Sequence, residues 1–299
     1  MRISSNLYFQ TASKSMSKQQ GDLVKIQSQL STGQAVLKPS DDPLAMSTAI
    51  NATEGVKKFN SFKSNLTYVK NTLGQMDVAL NAASDVIRTV RDSILTASNT
   101  LISPADRATI AEDIRGRFDE LLGISNRKST DGNFLFSGVA DDVQPFQVVA
   151  GVTQPYAGAD TGRQIQVSDG RKIDLTITGQ DAFEDQTTGK SIFTTIEDAL
   201  ADIAAGDLNA LRGRLDEMDA VFDSVQLSRT KAGLREREAE TIDQINFAAS
   251  NELERVAGEA VGLDYAKAIT ELSQGQLKLQ ATQQSFASLG RLTLFNFIS

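Results

Sequence analysis

The sequence predicts a mainly α protein: a long, coiled-coil-like helical rod made from both its N- and C-terminal segments, with an inserted β-rich outer domain. Three observations predict this class. An apolar ladder runs without a miss from Phe62 to Leu101 in alternating steps of four and three. Residues 1–32 and about 260–299 are Gln/Ser/Ala-rich, and each carries one thin apolar seam. Between the helical stretches, residues 133–180 turn Gly-rich and break into short runs of alternating polarity.

The terminal seams are Met16, Leu23, Ile26 and Leu30 at the front, and Ile269, Leu272, Leu279 and Phe286 at the back. Steps of three, four and seven place each set on one helix face. Such a stripe is too narrow to anchor a globular helix but suits a coiled-coil seam. The ends are therefore expected to pair, with each other and with neighbouring copies. Two ordinary surface helices are the plain alternative.

The first helix should stop near Thr32, because Gly33 suits the left-handed residue just past a helix end. Gln34–Pro39 reads as a short extended link. Ser40-Asp41-Asp42-Pro43 is a helix start: Asp42 can cap free N–H groups, and Pro43 at the first position lacks the one that would go unpaired. Residues 43–58 should be helical. The ladder follows through Phe62, Leu66, Val69, Leu73, Met76, Leu80, Ala83, Ile87, Val90, Ile94, Ala97 and Leu101, about 60 Å of helix. Gly74 lies off that seam and costs about 1 kcal/mol.

Ser103-Pro104-Ala105-Asp106 opens a further helix to about Lys128, with Ile110, Ile114, Phe118 and Leu121 inward. Thr130-Asp131-Gly132-Asn133 is turn chemistry. Gln164–Val167 and Lys172–Ile177 read as strands around a hairpin turn at Ser168-Asp169-Gly170-Arg171. Helices resume near Ile192. Leu208, Leu211, Leu215, Met218, Phe222 and Val225 form another seam, and helix continues through Ile242, Ile245, Ala249 and Val256 towards the C-terminus. Arg235–Glu238 reads as a solvated face.

Composition excludes several chemistries. The 299 residues include no cysteine and no histidine, so thiol and imidazole nucleophiles, histidine bases and Cys/His zinc sites are removed. An enzyme would depend on carboxylates, Lys, Tyr, Ser or Thr, and no converging polar set stands out. The chain is expected not to be an enzyme and to need no cofactor or metal. Asp41 and Asp42 read as cap chemistry, and Asp131 with Asn133 lacks the glutamate of a calcium loop.

The net charge of −8 is uneven. Residues 1–40 hold five basic side chains and one acid, and residues 260–299 three basic and two acidic. The middle therefore carries about −13, which argues against nucleic acid. No run approaches 18 apolar residues, so no membrane insertion is expected. The N-terminus has no apolar h-region, so no Sec-type signal is expected.

Three stretches carry a resemblance. Gln29–Pro43, QLSTGQAVLKPSDDP, after the opening Met-Arg-Ile-Ser, resembles the flagellin-like family. Gly132–Gly138, GNFLFSG, with Gly132, Phe134, Phe136 and Gly138, is similar to that family's border between rod and outer domain. Ile177–Phe193, ITGQDAFEDQTTGKSIF, is similar to the return into the rod. In the first stretch Gly33, Pro39, Asp41, Asp42 and Pro43 form the motif. Flagellins usually carry arginine where Gln29 stands and lack Lys38-Pro39-Ser40, so the pattern favours a junction subunit over flagellin, the filament subunit.

The resemblance implies a terminal coiled-coil domain of residues 1–42 and 260–299, a helical rod of 43–132 and 192–259, and an inserted outer domain of 133–191. It implies an extracellular subunit of the bacterial flagellum, exported unfolded through the flagellar export apparatus. Implied partners are hook-associated protein 1, flagellin and copies of itself in a ring. An export chaperone would cover the C-terminal helix, including the apolar end Leu292–Ile298. The terminal helices are expected to be largely disordered in the free monomer, since thin-seamed helices are marginal in water.

Overall fold

The computed structural model describes the backbone of residues 2–298, and the side chains of Leu7 and residues 10–288. The apolar end Leu292–Ile298 has its side chains outside the described residues. The chain forms two compact units, Met1–Lys58 with Ala249–Ser299, and Phe59–Ala248. Two long helices, α2 (Pro43–Ala97) and α6 (Leu208–Val261), contribute a segment to each.

The first unit contains α1 (Arg2–Thr32) and α7 (Tyr265–Ile298). They pack antiparallel: Leu23 lies against Gly275, while Thr282 Oγ1 donates to Gln19 Oε1 at 3.3 Å. α1 ends at Thr32 because Gly33 takes φ 71°, a conformation that costs glycine little. α2 begins at Pro43 with Asp42 Oδ1 accepting from the N–H groups of Leu44 and Ala45, both at 3.0 Å.

In the second unit the ladder packs as its spacing requires. Every member from Phe62 to Ala97 is buried. The other long helix answers with a seven-residue repeat of buried positions, Leu211, Met218, Val225, Ala232, Ala239 and Asn246. The two run antiparallel, with polar pairs flanking the seam: Lys70 to Asp243 at 2.7 Å, Arg229 to Asp77 at 3.1 Å, Gln226 to Ser84 at 3.1 Å, and Arg91 to Asp219 at 2.5 Å. Burying the seam supplies the stability, roughly 25 cal/mol per Å² of apolar area. The partly exposed pairs fix register more than they add energy.

Leu101 departs from the expected ladder and is 91 % exposed. The helix stops at Ala97, where arginines hold the carbonyls at its end and just beyond it. Arg107 Nε donates to Ala97 O at 3.0 Å, Arg107 Nη2 to Asn99 O at 2.9 Å, and Arg212 Nη2 to Ser98 O at 3.4 Å. A helix whose final carbonyls are taken by arginines can end there. α3 (Pro104–Ser125) has Ser103 as its cap and ends three residues before Lys128. Asn126 turns the chain instead: its amide donates to Phe146 O at 2.9 Å and accepts from Phe146 N at 3.0 Å.

Two small antiparallel sheets follow. β1 (Val148–Val149) pairs with β2 (Val152–Thr153), and β3 (Gln164–Ser168) with β4 (Arg171–Asp174). Ser168 faces Arg171 across the Asp169-Gly170 turn, where Gly170 takes φ 74°. The expected second strand through Ile177 ends at Asp174. Leu175, Thr176 and Ile177 are buried beyond it, with Leu175 N–H donating to Arg163 O at 2.7 Å.

The hairpin is held against the helices. Asn65 donates to Gln166 O at 2.8 Å, and Asn246 donates to Val167 O at 2.8 Å. Arg235 Nη1 donates to Thr176 O at 3.2 Å, and Glu238 pairs with Arg171. Half of the Arg235–Glu238 run thus holds the hairpin instead of facing only water. α4 (Gly179–Phe183) and α5 (Ile192–Ala205) complete the unit, each capped at its N-terminus by the preceding residue, Thr178 and Ser191.

Candidate assembly interface

Three regions hold the residues singled out by sequence: the α1–α7 seam, the elbow beside it, and the border of the β-rich insert. On the seam, Leu23 and Ala268 are buried, while Met16, Ile26, Leu30, Leu272, Leu279 and Phe286 are half-buried. Two helices alone cover a seam from one side each, so apolar area remains open. Ile269 stands off this seam at 54 % exposure, and its neighbour Ala268 takes the inward position. The covered face of α7 is Ala268, Leu272, Gly275, Leu279, Thr282 and Phe286. Those steps alternate four and three, and Ile269 is out of phase with them. Val24 and Leu277, 61 % and 66 % exposed, add further open apolar surface.

The elbow is built from the 29–43 motif and the residues that join α6 to α7. Ala35 N–H donates to Val261 O at 2.7 Å, and Leu263 N–H donates to Gly33 O at 3.1 Å. Gln29 Nε2 reaches Ala35 O at 2.5 Å. Val36, in the same link, is buried, which no periodicity could reveal.

Asp41 ties the link together. Its Oδ1 accepts from Lys25 Nζ at 2.7 Å, and its Oδ2 from the N–H groups of Leu37 and Lys38 at 3.3 and 3.2 Å. The Lys25 hydrogen bond leads the causes that hold its carboxyl below the usual aspartate range, helped by those two N–H groups. Pro39 lies in the turn between them, and Asp42 and Pro43 start the next helix.

At the insert border, Gly132 takes φ 86° in a turn closed by Ser129 N–H on Asn133 O at 2.7 Å. Lys128 Nζ lies over the Phe134 ring, 4.5 Å from its centroid. Gly138 takes φ 68°, and a Cβ there would run into the carbonyl of Ala159. Phe136 is fully buried, and its carbonyl accepts from Gly179 N–H at 2.7 Å and Tyr156 O–H at 2.8 Å. The border motif and the return motif therefore meet in one aromatic cluster: Phe136, Phe183 and Phe193 join Phe146 and Tyr156. Phe146 and Tyr156 were not foreseen; their only sequence signal is aromatic character next to Pro145 and Pro155. Burial pushes the Tyr156 phenol up to about 12.

None of these regions gathers a catalytic set, and no metal-ligating cluster occurs among the described residues. No helix of the described residues is long and apolar enough to cross a membrane.

The bacterial flagellin N-terminal helical region matches residues 3–141. The chain is 24 % identical to flagellar hook-associated protein 3 of Escherichia coli, across 99 % of each chain. The similarity to hook-associated protein 3 therefore runs the full length of the chain, and the helical-region match covers residues 3–141 of it. The corresponding Salmonella typhimurium protein is 23 % identical, also over 99 % of both chains. Flagellins match with less of their own length or with weaker similarity; the Salmonella montevideo flagellin is 25 % identical but only 52 % covered.

Among solved structures, a flagellar hook-associated protein of Vibrio parahaemolyticus superposes with a TM-score of 0.70 at 22 % identity, over 74 % of this chain and 100 % of that one. The flagellar junction protein of Legionella pneumophila gives 0.58 at 15 %, over 72 % and 100 %. Those likenesses establish the fold: a helical, coiled-coil-like protein with a small β region.

Proposed function

We propose that this chain is the structural adaptor subunit of the bacterial flagellum at the hook–filament junction, on which flagellin polymerises. The observation that carries the reading is the pairing of both chain ends, α1 with α7, on a seam that leaves its apolar side chains half-covered. Full-length similarity to hook-associated protein 3, against partial or weaker similarity to flagellins, favours the adaptor over the filament subunit.

The mechanism follows from the exposed seam. The subunit leaves the cell unfolded through the export channel and is extracellular once in place. Its terminal helices complete their seam against copies of itself in a ring, against hook-associated protein 1 on one side and flagellin on the other. Burying the half-covered residues offsets the ordering entropy of two long helices. An export chaperone shields the C-terminal helix beforehand. The chain acts as a scaffold and not as an enzyme.

Deleting the gene in its host tests the reading. The expected result is bare hooks with flagellin monomer lost to the medium. Loss of filaments with no flagellin anywhere would make the chain the filament subunit itself. Normal filaments would overturn the adaptor role.

A further inference from the structure

The second unit holds 13 arginines, and 11 of them have a carboxylate, carbonyl or ring partner. Among the described residues, Arg127 and Arg237 have none. Arg127 and Lys128 line an outward groove of about 710 Å³ with Lys70, Asn71, Gly74, Gln75 and Val78. Lys70 is engaged by Asp243 and Lys128 leans on the Phe134 ring; among the described residues neither Arg127 nor Lys128 has a carboxylate partner.

The groove also has an apolar floor. Val78 is 60 % exposed, and a Cβ at Gly74 would meet nothing within 4 Å. Its own chain does not require a glycine there, and a mid-helix glycine costs about 1 kcal/mol. The missing side chain lets another surface approach the helix backbone closely.

The complementary surface lies on the outward face of α6. Asp223 is exposed and has no partner among the described residues; one turn on is Leu227, 50 % exposed, and then Leu234, 60 % exposed. An acid without an ion pair beside apolar residues matches cations without a carboxylate beside an apolar floor. Opposite potentials steer and orient such docking. The two patches are different surfaces of one chain, so their contact is heterologous, which builds a ring where the rotation closes.

We propose that the Gly74–Val78–Arg127–Lys128 groove receives the Asp223–Leu227 face of α6 from a second copy of this chain. The proposal rests on the adaptor reading and supplies its lateral contact within the ring.

The natural chain has no cysteine, so single introduced thiols report without background. Full-length V78C and L227C chains, co-produced in the deletion host, should form a mixed disulfide dimer in isolated hook–junction particles. Neither variant alone should form one. Adding Arg127→Asp to the V78C chain should lower that dimer about tenfold or more, because like charges then face each other. Asp223→Arg in the L227C chain should restore it. Neither residue has an ion pair among the described residues, so the thermal midpoint should not move. Chain present on the hook without the mixed dimer, or a dimer indifferent to Arg127→Asp, overturns the groove and leaves the adaptor role standing. Chain absent from the flagellum altogether overturns both.

Discussion

The Phe136 ring meets the Phe183 ring edge-on, with centroids 5.3 Å apart and planes at 86°. The first lies where the chain enters the β-rich insert and the second where it returns, so one aromatic contact closes the insert at its base. Both rings are fully buried. Edge-to-face pairs add about 0.5–1.5 kcal/mol beyond burial. Phe183→Ala should therefore destabilise the second unit by about 3–5 kcal/mol, read as a lowered denaturation midpoint. A loss under 1 kcal/mol would mean that the cluster is dispensable.

Asn246 offers a sharper test of how the hairpin is held. It is 3 % exposed, donates to Val167 O at 2.8 Å and accepts from Ser168 Oγ at 3.2 Å. It also occupies a position of the buried heptad otherwise filled by Leu211, Met218, Val225 and alanines. Asn246→Ala strands a buried carbonyl, so a cost of about 1–3 kcal/mol is expected. Amide exchange in residues 164–174 should rise with it. Unchanged exchange there would show that Arg235, Glu238 and Asn65 hold the hairpin without Asn246.

These two sites mark what sequence could and could not deliver. The Phe62–Ala97 ladder was legible because every member faces one buried side, and period alone reports that. Gly33, Asp42 and Pro43 were legible because helix ends are local chemistry. Leu101 misled because the ladder's spacing continues past Ala97, where Arg107 and Arg212 hold the carbonyls of Ala97 and Ser98 and the chain leaves the helix. Ile269 misled in another way. On a thin seam phase decides inward position, and the small Ala268 is in phase where the larger Ile269 is not. Val36, Phe146, Tyr156 and Asn246 owe their roles to partners distant in sequence, which no local pattern encodes.

The elbow should respond to acid. Asp41 is held below the usual aspartate range by Lys25 and two backbone N–H groups, so its folded carboxyl is more acidic than its unfolded one. Its contribution is present above the ordinary aspartate value and is lost as pH falls through the lowered folded value. Asp41→Asn should make the amides of Leu37 and Lys38 exchange faster at neutral pH and remove the acid response there. An acid response equal to that of the natural chain would assign it to another group.

Gly275 separates assembly from folding. A Cβ at this position would lie 2.8 Å from Leu23 Cδ2, in the most covered part of the α1–α7 seam. Leu23 is packed in a two-helix contact, so a larger side chain opposite must push the helices apart. Gly275→Leu should lower amide protection across residues 10–32 and 265–288, which the thin seam already makes weaker than in the second unit. The main thermal transition, set by the ladder and the aromatic cluster, should stay within about 1 kcal/mol of the natural chain because the distant sites are independent. In cells the variant should be exported but fail to hold filament on the hook. Normal filaments with a disrupted α1–α7 pair would sink terminal pairing as the assembly step. A lowered main transition would mean that the terminal seam supports the fold as well.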